Sequence, residues 1–319
     1  MNGFFVRRDR CPCCAAATAA VICRSRYELD PLRSYLTSFY GEGRVEFDCL
    51  NEQEYVLAEC KLCGLIFQQE IPGDLLMHKL YEEWIDPAKA LRAHHEKPKT
   101  DQCHQYATEI YGIAKYLRRT GRDLQLLDFS MGWGLWCRIA QDYGCDVHGT
   151  EYSRSRSDYA RGMGVEVIAY EEIGDHRYDF INTEQVFEHI PRPHETFSYL
   201  KGSLKPNGIL KVAVPDGHGI KGRLARWRWT APKGDADSLN AVAPLEHINC
   251  FGRHSLCRMA EDAGLAPVDL PGVSSPPTRS LERRLGRAGA LIHALYWRLR
   301  SSRPFRSGGR LCMAFRARG

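Results

Sequence analysis

Two sets of residues in this 319-residue chain have the types and spacing to do chemistry. The first is a pair of C-x-x-C knuckles, Cys11 with Cys14 and Cys60 with Cys63. Each knuckle lets two thiolates reach one ion without strain. Four thiolates suit tetrahedral zinc, and a shell filled by protein makes such an ion structural rather than catalytic. The forty-five residues between the knuckles exceed the roughly 15–20 of a simple ribbon. The aromatic and charged stretch 27–47 therefore reads as an insertion. Cys13 offers a second register for the first knuckle, while Cys23 and Cys49 read as ordinary buried thiols.

The second set lies in residues 126–140, LLDFSMGWGLWCRIA. An apolar run leads to Asp128, Gly132 and Gly134 make a tight turn, and an apolar-periodic run follows. That is the pattern of a buried strand, a loop and a helix N-terminus, with glycines that let backbone approach a ligand. Residues 147–151, VHGTE, read as the next strand. It places Glu151, nineteen residues beyond Gly132, to accept hydrogen bonds from ribose hydroxyls. Together these features point to a nucleoside-containing cofactor. A dinucleotide loop wants a third Gly or Ala for helix–strand packing, and that position holds Cys137. The Gly-Lys-Ser/Thr phosphate cradle is absent, so a nucleoside without phosphates fits better. His189 and His247 are the candidate catalytic proton acceptors, because imidazole titrates near neutrality. Their alternatives are to orient a helix and to hydrogen-bond in a core. Glu188 beside His189 offers too few hard ligands for a catalytic cation, and none is expected there.

The loop DFSMGWG at 128–134 resembles the D-x-G-x-G-x-G loop of class I S-adenosylmethionine-dependent methyltransferases. Later landmarks of that family follow in order: YDFINTEQVFEHIP at 178–191, LKPNGILKVAVPD at 204–216 and EHINCFGRHSLCRMAEDAGL at 246–265. The resemblance spans about residues 105–319. Residues 59–86 are similar to a zinc-binding N-terminal module attached to some bacterial methyltransferases. The fold implied is α/β, a doubly wound, mainly parallel seven-stranded sheet preceded by a small zinc-ribbon-like domain. The implied cofactors are S-adenosylmethionine and a structural zinc. In the implied roles, Ser130, Gly132 and Gly134 shape the loop around the amino-acid part of the cofactor. Asp128 anchors the loop and the ammonium region, Glu151 takes the ribose, and Tyr152 lies against adenine. Glu171 or Glu172 reaches the adenine amino group or else caps the next turn. Thr183, Glu184 and Gln185 line the sulfonium side. Ser130 and Met131 stand where the family has glycine and usually cysteine, and a serine that needed positive φ would be strained. Methyl transfer itself asks the protein mainly for alignment and desolvation.

Alternating strand-like and helix-like segments position these residues, at 124–129, 133–143, 145–151, 153–162, 165–168, 178–183, 194–204 and 209–214. In such sheets ligands sit beyond the carboxyl ends of the strands. The expected organisation is a zinc-ribbon-like module over 1–86, a linker or lid over 87–104, and a methyltransferase domain over 105–319. The domain carries an acceptor-covering insertion at 215–246 and a basic helix at 280–300. Arginines and tryptophans at 221–230 (KGRLARWRWT) suit an anionic or sugar-nucleotide acceptor, and the same pattern would serve single-stranded nucleic acid or a packed surface helix. The expected function is methyl transfer to a small molecule or glycan precursor. The rivals are a degenerate recognition module and a nucleic-acid methyltransferase, although basic residues are not concentrated around the knuckles. From Ser274 onward eleven arginines face one acid, Glu282, so a packed basic helix and a peripheral membrane contact both stay open. Net charge is +5 and mean hydropathy −0.41. No apolar run nears the eighteen residues of a span. Thirteen cysteines behind an opening without an apolar signal core give the expectation of reduced thiols in the cytoplasm. The acceptor, the atom methylated and the oligomeric state stay open.

Overall fold

The computed structural model describes residues 3–96, 100–270 and 309–317. The basic helix expected over 280–300 lies outside the described residues. In chain order the elements begin β1 (Phe5–Arg7), β2 (Ala19–Arg26), α1 (Leu32–Tyr40), β3 (Glu54–Cys60), β4 (Ile66–Gln68), β5 (Glu70–Pro72), α2 (Asp74–His78) and α3 (Pro87–Glu96). They continue with α4 (Thr100–Leu117), β6 (Gln125–Phe129), α5 (Leu135–Asp142), β7 (Asp146–Gly149), α6 (Arg154–Gly162), β8 (Glu166–Val167), β9 (Tyr178–Glu184) and α7 (Pro193–Gly202). The last are β10 (Leu204–Pro215), α8 (Ile220–Arg226), β11 (Asn249–Cys250), α9 (Arg253–Asp262), β12 (Leu265–Val268) and β13 (Arg310–Ala317). Among the described residues no helix is long and apolar enough to cross a membrane.

The chain divides into two compact units. One comprises residues 99–184, 199–214 and 263–319 and holds the seven-stranded sheet, in the order β12-β13-β10-β9-β6-β7-β8. The five strands from β10 to β8 run parallel, and β12 pairs antiparallel with β13. β9 and the C-terminal half of β10 are buried along nearly their whole length, as strands covered on both faces must be. Leu124, Leu126, Val147, Phe180 and Ile209 join Ile110 and Ile113 of α4 and Trp136 of α5 in one apolar cluster. Within the stretch expected to be a linker or lid, residues 87–96 form α3 and residues 100–104 open α4, which runs on to Leu117.

The other unit comprises residues 1–98, 185–198 and 215–262. This differs from the expected boundary, because the 215–246 segment folds with the N-terminal residues. The reason is a shared core: Ile220, Leu224, Trp229, Leu239 and Leu245 pack in one cluster with Tyr27, Leu36, Tyr55 and Trp84. The 27–47 insertion contributes to that core through α1, whose Leu32, Leu36 and Tyr40 recur at helical spacing and are buried. A four-stranded antiparallel sheet, β11-β4-β3-β2, forms its backbone. β11 reaches it from far downstream, with Asn249 opposite Phe67.

Candidate functional site

The nucleoside site is built at the ends of β6 and β7. Register places Asp128 opposite Gly149 on one side and Asn182 of β9 on the other. Beyond Asp128 the chain enters left-handed backbone at Ser130 (φ 58°), Gly132 (φ 58°) and Gly134 (φ 75°). Ser130 thus adopts the conformation that disfavours a side chain, the strain anticipated from the sequence. A Cβ at Gly134 would also stand 3.0 Å from Ala160 Cβ, so close packing on α6 reinforces the need for glycine there. Met131 is accommodated by its neighbour: a Cβ at Gly149 would lie 2.1 Å from Met131 Sδ.

The backbone N–H groups of Ser130, Met131, Gly132 and Gly134 are engaged within the protein. Ser130 N–H donates to Thr150 Oγ1 (3.1 Å), Met131 N–H to the Thr150 carbonyl (2.9 Å) and Gly134 N–H to the Met131 carbonyl (3.1 Å). Gly132 N–H donates to Glu151 Oε2 and Ser153 N–H to Glu151 Oε1, each at 2.9 Å. Such a loop is not a phosphate nest, which requires free N–H groups. The Glu151 carboxylate, in contrast, is fixed at the strand end and keeps acceptor capacity for hydroxyls.

Asp128 lies beneath the loop rather than on its surface. Its Oδ1 accepts from Asn182 Nδ2 (2.7 Å) and Oδ2 from Cys137 Sγ (3.8 Å). Burial pushes its pKa up to about 7, against the opposing pull of the Asn182 hydrogen bond. Asn182 Oδ1 is buried and has no hydrogen-bond partner among the described residues, leaving an acceptor beside Asp128 for a ligand donor. These features fit a phosphate-free nucleoside with a cationic amino-acid tail.

The remaining predicted residues separate. Tyr152 is 84% exposed next to Glu151, an open ring face suited to stacking. Glu172, an exposed residue, turns back on its own chain, its Oε2 accepting Ala169 N–H at 2.6 Å ahead of the short turn at 171–175. Thr183 is fully buried within the sheet and donates its hydroxyl to the Lys211 carbonyl (2.8 Å), so its side chain lines no cleft. Glu184 pairs with Lys211 (3.4 Å) and Arg310 (2.9 Å), which hold its pKa down despite burial. Gln185, in left-handed backbone at φ 57°, opens the segment that belongs to the other unit.

In that unit the knuckles meet. Cys11 Sγ is 3.5 Å from Cys63 Sγ, Cys14 Sγ is 3.6 Å from Cys60 Sγ, and all four sulfurs lie within 4.8 Å of one another. A tetrahedral zinc with bonds near 2.3 Å places its sulfurs about 3.8 Å apart, so the donor set fits. Cys13 is excluded from the quartet and donates to the Ser255 carbonyl.

His189 and His247 also come together, with ring centroids 4.8 Å apart and planes at 82°. Glu188 joins them, one oxygen 3.9 Å from His189 Nε2. Burial and His189 push the His247 pKa down to about 3, so its imidazole is neutral at physiological pH. The arginines of 221–230 turn out to be engaged within the fold. Arg223 donates to the carbonyls of Asp216, His218 and Ser238, while Arg226 and Arg228 pair with Asp237. Lys221 pairs with Glu59, and Trp229 is buried in the apolar core. Each of these basic residues thus has an acidic or carbonyl partner within its own unit.

Sequence reasoning placed Asn182 at a strand end beside the crevice but missed its hydrogen bond to Asp128, and it missed Thr150, which clamps the loop. The apolar strand pattern around Asn182 carried the signal, since a lone amide inside YDFINTE needs a partner. Asn249, Gln68 and Arg8, which brace the histidine cluster, left no local signal.

A parallel sheet with a glycine turn after its first strand and a fixed carboxylate after its second defines a nucleoside-cofactor enzyme of the doubly wound class. The chain belongs to the Methyltransferase domain family, which matches residues 77–270, and it is a class I S-adenosylmethionine-dependent methyltransferase. The ubiquinone biosynthesis O-methyltransferase of Dinoroseobacter shibae is 24% identical over 213 residues, covering 61% of this chain and 82% of its own length. Solved structures with similar folds include the plantazolicin methyltransferase BpumL in complex with SAH, 13% identical with a TM-score of 0.45. That match covers 73% of this chain and 91% of BpumL. Another is an S-adenosylmethionine-dependent methyltransferase from Mesorhizobium loti, 15% identical with a TM-score of 0.40, covering 60% and 90%.

Proposed function

We propose that this enzyme methylates a hydroxyl oxygen of a small molecule. The oxygen acceptor is supported by likeness to a curated O-methyltransferase. In this reading Glu151 takes the cofactor's ribose hydroxyls and the 130–134 loop shapes the amino-acid portion. Asp128 and Asn182 set the charge beneath that loop, and Tyr152 covers the adenine. Bound S-adenosylmethionine supplies an electrophilic methyl carbon, and the protein's task is alignment and exclusion of water. Cys11, Cys14, Cys60 and Cys63 hold a structural zinc that shapes their unit. Thirteen cysteines, none in a disulfide, fit a reducing, cytoplasmic compartment.

The observation that carries the reading is the Glu151 carboxylate, fixed by two backbone N–H groups at the end of β7. Calorimetry with S-adenosylmethionine and its demethylated product tests it. Removing the carboxylate in Glu151→Ala frees two backbone donors and deletes the ribose acceptor. Charge-assisted hydrogen bonds of this kind are worth roughly 1.5–3 kcal/mol each, so affinity falls about a hundredfold or more. Unchanged affinity in the variant sinks the cofactor assignment. Incubation with cofactor and a panel of hydroxylated, amino and carbon-acid small molecules then reads the acceptor atom from the product.

A further inference from the structure

We infer that Lys211 and Glu109, a buried ion pair outside the glycine loop, are positioning residues that set the charge Asp128 presents beneath the loop, and through it the hold on the cofactor's cationic tail. The effect on the cofactor rests on the reading of Asp128 given above, whereas the control of its charge does not.

Register puts Asp128 of β6, Asn182 of β9 and Lys211 of β10 directly opposite one another on three neighbouring parallel strands. Residues two apart along a strand share a face. The preceding row on this face is therefore Leu126, Phe180 and Ile209, all apolar and all in the core cluster. One polar row thus crosses an apolar surface, and all three of its members are buried.

A lysine in that setting is costly unless it is paired. The Lys211 ammonium meets both oxygens of Glu109 from α4, each at 2.7 Å, and Trp136 Nε1 of α5 donates to the same carboxylate at 3.1 Å. Glu184 lies 3.4 Å from Lys211 and is itself paired with Arg310 of β13 at 2.9 Å. The two carboxylates keep the lysine charged, raising its pKa against the pull of burial. Apolar side chains of similar volume commonly replace such a pair at no loss of stability, so packing alone does not account for it.

Asp128 is where the field of the pair is felt. Neighbouring strands stand about 4.8 Å apart, which puts Lys211 roughly 10 Å from Asp128 with only Asn182 between them. Lys211 favours the Asp128 carboxylate, whereas Glu184 and Glu109 favour its neutral form. The other titratable groups around the row are Tyr106 of α4, Cys137 of α5 and Cys312 of β13, and burial keeps each of them protonated. β7 presents only Gly149 opposite Asp128. A cationic tail gains from a carboxylate and not from a carboxyl, so cofactor affinity should rise with pH as Asp128 ionises.

Two titrations of the full chain test this. Carbon-13 NMR follows the Asp128 carboxyl without ligand, and calorimetry follows affinity for the demethylated cofactor product across the same pH range. Glu109→Gln keeps the shape and leaves Lys211 charged beside Glu184. A unit charge roughly 10 Å away at an effective dielectric near 20 is equivalent to about one pH unit, so the Asp128 midpoint should fall by about that much. Adding Lys211→Met to that variant removes the opposing charge and should return the midpoint towards the wild-type value. A pair that served structure alone would leave the midpoint in place or show further damage in the double variant. Glu184→Gln, at the more exposed end of the network, is the second variant should Glu109→Gln not fold. It removes the other acid beside Lys211 and should also lower the midpoint. Midpoints that stay put, or that the double variant does not restore, overturn the inference. Midpoints that move as expected while affinity stays independent of pH keep the control of charge and remove Asp128 from the cofactor's tail.

Discussion

The nucleoside loop and the cysteine and histidine clusters are assembled in opposite ways. Gly132 and Glu151, which meet across the loop, are 19 residues apart, and one βαβ step brings them together. Cys11 and Cys63 are 52 apart, and His247 reaches Glu188 through a strand that joins its sheet from far downstream. In the loop, backbone geometry does the positioning and side chains are few. In the clusters, side chains do the chemistry and distant backbone braces them. The first kind of site depends on local conformation, the second on the integrity of an entire core.

Removing one sulfur should show the larger dependence. In Cys60→Ser the remaining three thiolates cannot close a tetrahedral shell. Structural zinc contributes on the order of 10 kcal/mol of binding free energy, comparable with the whole stability of a typical domain. We expect elemental analysis to fall from about one zinc per chain to none and the unfolding transition of the cysteine-bearing unit to be lost. A variant that keeps an unchanged melting profile without zinc contradicts the structural assignment.

The same contrast explains what could be read in advance. The strands near the loop were legible because each is a short, buried, apolar run: residues 178–183 became β9 and 145–151 became β7 with ends shifted by one or two residues. The Gly132–Glu151 spacing was legible for the same reason, since both ends belong to one local unit. The two knuckles were visible as spacing, and their meeting is borne out by the sulfur geometry. The placement of 215–246 was not legible. Its arginines are paired by Asp237 and backbone carbonyls, and its Trp229 is buried among residues some two hundred positions earlier. Composition alone does not distinguish an arginine that neutralises its own fold from one offered to a substrate. Glu172 and Thr183 failed as ligand-lining side chains for a related reason, because a strand-end position does not say which polar group its own turn or sheet will claim.

Within the loop the effects should be smaller and graded with pH. The Asp128 pKa stands at about 7 against an ordinary 3.8, so the folded state holds a proton that the unfolded chain has already released. Its contribution to stability is fully present below about pH 4, is lost as pH rises towards 7, and is level beyond. The span is on the order of 4 kcal/mol. Asp128→Asn keeps an acceptor for Asn182 and removes the charge, so its melting temperature should decline less than the wild type's between pH 4 and 7. Parallel curves for the two proteins would falsify the buried-carboxyl account. A cationic ligand tail lowers the Asp128 pKa, so wild-type binding near pH 7 should release protons, detected as a dependence of calorimetric heat on buffer ionisation enthalpy.

The smallest expected effect isolates the one departure inside the loop. Ser130 sits at φ 58°, where an L-residue costs about 1 kcal/mol relative to glycine. Its N–H bond to Thr150 Oγ1 is a backbone contact and survives substitution. Ser130→Gly should therefore raise stability by up to about 1 kcal/mol, less the entropy that glycine returns to the unfolded chain. Cofactor affinity should change by no more than a few-fold, because Met131 still fills the space over Gly149 and Glu151 stays fixed. A large loss of affinity would instead make the serine hydroxyl a ligand contact. The loop would then resemble the clusters in relying on a side chain, rather than on backbone geometry alone.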